Sequence, residues 1–324
     1  MTGPIIMKPL GNSFGIQAAG FAFQKYSQDD LAEILLLVEH VGLVVFRHQS
    51  LADADLYDLA RRIGPLKAPA RTFNLAPGCP EIGYRSDLRS ERGEPPRSPG
   101  DTINHWHSDQ QHRMHPATLA FIYCVRSAAS GGAMSFVSTD VTKAGLDESM
   151  VADLAALRAI YEPAGGRDDV SPNQVAHPAL LTSPSSDAQY AYVSESTLRF
   201  KGLDDEASAK LKARVLRRLL RPERLYSHRW EAGDFVLYDN AQLLHRSEPS
   251  RARPRLKAAN IYAPNEVFAV PEGKAVDPHT PTIPTHSGDR AVVRRRATLT
   301  QELGTYLAWA EQRTGCTPHR RRAG

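Results

Sequence analysis

The chain has 324 residues, a mass of 35.7 kDa, 41% hydrophobic and 23% charged residues, which gives room for one large cored domain and excludes a disordered chain, a fibre or a disulfide scaffold. The pI of 8.9 invites a nucleic-acid partner, but residues 288–324 hold eight Arg against Asp289, Glu302 and Glu311, so the body 1–287 carries a net charge of −1. Cys79, Cys124 and Cys316 have no paired spacing, as expected of reduced thiols in a cytoplasmic protein, and neither a secretory leader nor an apolar run of roughly 18 residues for a membrane span is visible.

Ser27 is a good N-cap, and Asp30 stands where the acidic partner of a capping box belongs. A helix is expected from there, with Leu31, Ile34, Leu35 and Val38 at helical spacing and Gly42 as its end. Leu43-Val44-Val45-Phe46 reads as a buried strand. A second helix over 52–63 has Leu56, Leu59 and Ile63 as its face and Gly64 as its stop. From 87 to 104 the stretch DLRSERGEPPRSPGDTIN has no period, and a loop of that length is a lid or disordered. Residues 118–126 and 133–137 read as strands around Ser130-Gly131-Gly132. A helical stretch follows over 140–160, then a Pro/Gly-rich segment to 176. Residues 189–200 are strand-like, 204–220 form a strongly amphipathic helix, and short strands are expected at 226–230, 234–238 and 256–262. Prolines from Pro264 to Pro284 separate these from a last helix at 290–313. Early helices followed by many short strands indicate an α+β chain around a β core.

The chemistry concentrates in Asn104-His105-Trp106-His107-Ser108-Asp109. In a strand, residues two apart face one side, so His107 and Asp109 can present an imidazole and a carboxylate to one point. His245, in a later apolar segment, is the best distant third ligand. Two His and one carboxylate form the facial triad of non-haem Fe(II) oxygenases. Arg253, Arg255 and Lys257 then lead into a strand where a guanidinium can clamp a carboxylate with two parallel hydrogen bonds.

With these residues in place, the sequence resembles the taurine/chlorophenoxyacetate dioxygenase family of Fe(II)/2-oxoglutarate oxygenases. The resemblance extends through Leu43-Val44-Val45-Phe46-Arg47-His48-Gln49, Ile63-Gly64-Pro65-Leu66, the Gly131-Gly132 turn and Arg229-Trp230-Glu231-Ala232-Gly233-Asp234 to Tyr238-Asp239-Asn240 and His245-Arg246. It covers about 20–264 and implies a double-stranded β-helix (jelly-roll) core with flanking α-helices. On that basis 1–264 is the expected dioxygenase domain, and 265–324 a Pro-rich linker with a basic C-terminal helical extension that packs on or extends the same domain and is expected to serve homo-oligomerisation.

The resemblance further implies Fe(II) held by His107, Asp109 and His245, 2-oxoglutarate and O2 as cosubstrates, and succinate and CO2 as products. An occupied Asp109 position favours hydroxylation, because halogenating relatives leave it vacant for halide. Arg255 is the expected clamp for the far carboxylate of 2-oxoglutarate, with Arg253 and Lys257 as alternatives. Ser135 is the hydroxyl nearest the Gly-Gly turn, where relatives often carry Thr and this chain has Ala133-Met134. Asn104 and Arg246 are candidate substrate contacts. No His lies near Lys67-Ala68-Pro69, which argues against taurine.

The expected partner is a small molecule. The basic tail has no aromatic-interleaved pattern that would point to nucleic acid. Desaturation or oxidative cyclisation would need the same residues as hydroxylation. A zinc hydrolase on the same ligands leaves the downstream cations unexplained, and a non-catalytic jelly-roll binding module leaves the triad unexplained.

Overall fold

The computed structural model describes residues 6–11, 13–67, 75–76, 78–85, 104–162, 174–183, 186–248 and 254–262. The lid at 87–103, the tail helix at 290–313 and the linker before it lie outside them.

Ser27 caps the helix Gln28–Val41 as its sequence predicts. Its hydroxyl accepts from the Asp30 amide at 3.1 Å, and its own amide donates to Asp30 Oδ2 at 2.8 Å. Leu31, Ile34, Leu37 and Val38 go into the core, as do Leu56, Leu59 and Ile63 of the second helix, Asp53–Ile63. Both helices cover one face of a nine-stranded sheet. Its central strands run in the order Ile16–Ala19, Leu43–Phe46, Phe235–Asp239, Leu119–Arg126, Arg255–Ile261 and Cys79–Arg85. All pairs in it are antiparallel except Ile16–Ala19 with Leu43–Phe46.

Strand alternation divides this sheet into two unlike faces. Phe46, Phe121, Phe235, Leu237, Ala259 and Ile261 face the helices. Val45, Ala120, Ile122, Val236, Tyr238, Leu256 and Ala258 face inward, toward a second sheet of Tyr226–His228, Met134–Ser138 and Leu243–Ser247. Each fully buried aromatic on the helix face contributes on the order of 2–3 kcal/mol by leaving water. The two sheets enclose an apolar interior with Phe136 and Leu243 on the opposite wall. A third layer covers the outer face of the second sheet, through Val137, Leu244 and the helix Asp205–Leu219.

Two expectations shift. The helix expected over 140–160 is two helices, Val141–Ala144 and Glu148–Ala156, each capped by its own aspartate, Asp140 and Asp147, with Gly145 left-handed between them. The chain then leaves the helix as the strand Arg158–Tyr161, which pairs with Val175–Pro178 and buries Ala159 and Tyr161. The strand-like stretch 189–200 keeps strand only at Gln189–Ala191 and Arg199–Phe200. Between them the Ser194 amide donates to Thr197 Oγ1 at 3.0 Å and turns the chain.

Candidate metal centre

His245 lies in the middle of the Leu243–Ser247 strand and shares the inward face with Leu243. His107 is not in a strand. A single bridge sets it opposite His245: His107 N donates to His245 O at 3.1 Å, and His245 N donates to His107 O at 2.8 Å. Two residues on, the chain turns, with Gln110 at φ 62. The convergence of His107 and Asp109 thus comes from a bridge and a turn, and strand alternation does not produce it.

The turn is pinned from the far side of the barrel. The Asp109 amide donates to Asn240 Oδ1 at 2.7 Å, and Asn240 Nδ2 donates to the carbonyls of Asp109 at 2.9 Å and Ala117 at 2.8 Å. Ser108 Oγ donates to Leu243 O at 2.9 Å. Asn240 is itself fixed by its neighbour. Asp239 Oδ1 accepts from the amides of Ala241 at 2.8 Å and Gln242 at 3.1 Å. Burial pushes the Asp239 carboxyl up to about 7, against the hydrogen bonds from Ala241 and Gln242 that favour its charge.

The three side chains meet in the buried interior. Nε2 of His107 and Nε2 of His245 are each 3.7 Å from Asp109 Oδ1. One ligand atom from each residue lies within 4.8 Å of the others. His107 Nδ1–H donates to the His105 carbonyl at 2.9 Å, which leaves the lone pair on Nε2, a buried atom that makes no hydrogen bond. The Tyr238 hydroxyl donates to Asp109 Oδ2 at 3.1 Å and leaves Oδ1 toward the imidazoles. Two imidazole nitrogens and one carboxylate oxygen, buried and aimed at one point, are a donor set that fits a divalent first-row metal with open positions. Hydrogen bonds of this kind behind the ligands fix their orientation and tautomer.

The cationic candidates sit elsewhere. Ser135 and Arg246 are register partners on the face of the second sheet opposite His245. Ser135 Oγ donates to Glu248 Oε1 at 2.6 Å, and Arg246 Nε donates to the same oxygen at 3.3 Å. The Arg246 guanidinium lies 4.9 Å from the centre of the Trp106 ring. Ser135 and Arg246 therefore take the strand face opposite His245. The reason is the strand period: one step from His245 reverses the face.

Leu256 and Ala258 take the inward positions. Lys257 turns to the helices, where its Nζ is 2.5 Å from Asp53 Oδ1. The register shifts between Arg255 and Leu256, and Arg255 pairs with Arg126 at the strand's start, so the alternation that turns Lys257 outward does not extend to Arg255. Arg253 lies outside the described residues, and Asn104 is exposed at the start of its segment. Sequence reasoning missed Tyr238 and Asn240 as supports of Asp109. Their signal was present in Tyr238-Asp239-Asn240, which was read as a signature without a role.

Known proteins resemble the chain in sequence and in fold. The family model described as taurine catabolism dioxygenase TauD, TfdA family matches residues 7–260. The alpha-ketoglutarate-dependent 2,4-dichlorophenoxyacetate dioxygenase of Cupriavidus pinatubonensis is 25% identical over 236 residues, 67% of this chain and 82% of that protein. Pentalenolactone F synthase of Streptomyces avermitilis is 23% identical over 283 residues, 78% of this chain and 92% of its own. Among solved structures, AAD-2 in complex with Mn(II) and N-oxalylglycine superposes with a TM-score of 0.69 at 18% identity, covering 80% of this chain and 98% of that one.

Proposed function

The chain belongs to the TauD, TfdA dioxygenase family, and from that premise we propose that His107, Asp109 and His245 are the iron ligands of an enzyme that hydroxylates an unactivated C–H of a small molecule. Membership and the related enzymes make it an Fe(II)- and 2-oxoglutarate-dependent dioxygenase, an oxidoreductase using O2. The observation that carries the ligand assignment is the meeting of three buried donor atoms within 4.8 Å.

When bound, iron supplies the oxidising chemistry: one atom of O2 goes to the substrate and the other to succinate, as 2-oxoglutarate loses CO2. The residues of the chain do the rest. His107 and His245 offer Nε2, with the His107 tautomer set by the His105 carbonyl. Tyr238 holds one oxygen of Asp109 so that the other stays directed at the imidazoles. Phe136, Ile122, Val236 and Leu256 line the interior and keep water from the reacting carbon. Of the three cations considered for the far carboxylate of 2-oxoglutarate, Lys257 is paired with Asp53. Arg255, at the register shift that opens its strand, remains the proposed clamp, with Arg253 as the alternative.

Residues 1–264 are taken as the catalytic domain, in keeping with a family match that ends at 260. No helix among the described residues is long and apolar enough to cross a membrane. A cytoplasmic location and a homo-oligomer built through the basic tail complete the reading.

The test is anaerobic addition of Fe(II) and 2-oxoglutarate, which is expected to produce a weak visible charge-transfer absorption. It is followed by a substrate screen read as succinate release. No absorption, with Zn(II) supporting turnover, would overturn the reading in favour of a hydrolase.

A further inference from the structure

Behind the ligand loop lies a buried polar hub that neither the sequence signatures nor the metal chemistry requires. Gln111 is 3% exposed and stands two residues beyond Asp109. Its Oε1 accepts from the Ser108 amide, between the two ligands of the loop, at 3.2 Å, and from Ser194 Oγ at 2.7 Å. Its Nε2 donates to the Tyr161 hydroxyl at 3.3 Å. Tyr161 in turn donates to the Tyr192 carbonyl at 2.8 Å and accepts from Thr197 Oγ1 at 3.1 Å. The Gln111 carbonyl is held as well: His177 Nε2 lies 3.0 Å from it and 2.8 Å from the Arg113 carbonyl. Burial lowers the His177 pKa to about 4, so the ring is neutral near pH 7 and its Nε2–H serves both carbonyls.

The segment reached through Ser194 also grips the other end of the ligand loop. Trp106 N donates to Glu195 Oε2 at 2.6 Å, Glu195 N donates to Trp106 O at 3.0 Å, and His105 Nε2 lies 2.9 Å from Ser196 Oγ. Residues 105–111 are therefore fastened at both ends to the turn at 194–197, with His107 and Asp109 between the fastenings. A glutamine with three side-chain hydrogen bonds in a dry interior is stabilising only while all of them are made. It thus fixes one arrangement of the loop.

We propose that Gln111 is a positioning residue for the metal: by holding the Ser108 amide to the 194–197 turn, it sets the spacing of His107 and Asp109. The inference rests on the ligand assignment above. Supports of this kind, one bond behind the ligands, change metal affinity by about tenfold or more when removed.

Co(II) titration of the full chain, followed by its visible absorption, tests this with Gln111→Leu, Ser194→Ala and Ile34→Val. Ile34 lies on the buried face of the helix Gln28–Val41 and touches neither the hub nor the loop. Gln111→Leu should weaken Co(II) binding about tenfold, and Ser194→Ala, which removes one of the two donors to Oε1, about threefold. Adding Ser194→Ala to Gln111→Leu should cause no further loss, because both act through one contact. Ile34→Val should lower the melting temperature and leave Co(II) affinity within about twofold. Unchanged affinity in Gln111→Leu overturns the proposal, as does an equal loss in Ile34→Val. Should Gln111→Leu fail to fold, unchanged affinity in Ser194→Ala decides against it. Failure of the unaltered chain to bind Co(II) would overturn the ligand assignment and this inference together, whereas binding that ignores Gln111 overturns this inference alone.

Discussion

Along the strands Leu243–Ser247 and Arg255–Ile261, inward positions hold Leu243, His245, Leu256 and Ala258, while Arg246 and Lys257 occupy the outward ones. The inward side carries one chemical group in an apolar wall. The outward side carries the charge, and that charge is committed to structure: Lys257 to Asp53, Arg246 to Glu248 and Trp106. Residues adjacent in sequence therefore do unrelated work. A cation near a ligand in the sequence is no evidence of a cation near the metal.

The widest separation between the two sides is expected from Asp109→Ala. Loss of a metal ligand should abolish substrate-dependent succinate release while the fold persists, read by circular dichroism. Persistent turnover would remove Asp109 from the site. On the outward side, Lys257→Met should cost roughly 2 kcal/mol in chemical denaturation by leaving the Asp53 carboxylate without its partner. The KM for 2-oxoglutarate should stay unchanged. A large rise in that KM would return Lys257 to the cosubstrate.

Asp239 supplies a test by pH. Its folded carboxyl titrates near 7 and its unfolded one near 3.8, so the folded chain holds the proton to higher pH. Its contribution therefore weakens stability as pH rises from about 4 to about 7 and is constant above that. Asp239→Asn should flatten the melting temperature over this window, and an unaltered slope would place the titration elsewhere. Tyr238→Phe removes the hydrogen bond to Asp109 Oδ2 and should weaken Co(II) binding about tenfold, with little change in stability. The smallest effect is expected for Arg246→Ala: about 0–1 kcal/mol of stability from a half-exposed ion pair and ring contact, and kcat/KM within about twofold. A tenfold loss of kcat/KM would put Arg246 back in the substrate pocket.

Much of the fold was legible because local signals and tertiary packing agree. Ser27 and Asp30 form the capping box they spell, and Leu56, Leu59 and Ile63 bury as spaced. The His107, Asp109 and His245 set was legible because its residue types and spacing are rare together. What could not be read was phase. That Leu256 faces inward and Lys257 outward follows from pairing with Leu119–Arg126, where the register shifts between Arg255 and Leu256. No property of those residues announces that shift. Gln111 was equally silent, since its meaning lies in partners 50 to 83 positions away.

The paired main-chain bonds between His107 and His245 have a consequence for how the protein comes into being. They join segments from the two halves of the domain, so no N-terminal fragment that stops short of Leu243–Ser247 can hold all three ligands. During synthesis the chain must carry an incomplete site until its last barrel strands have emerged. Contacts of such long sequence separation are slow to form. A metal that binds only the closed arrangement then adds stability by mass action, about 2.7 kcal/mol at a free concentration one hundred times its Kd. Metal uptake would thus mark the moment at which the barrel is finished, and starvation for the metal would be felt first as poor yield of folded chain.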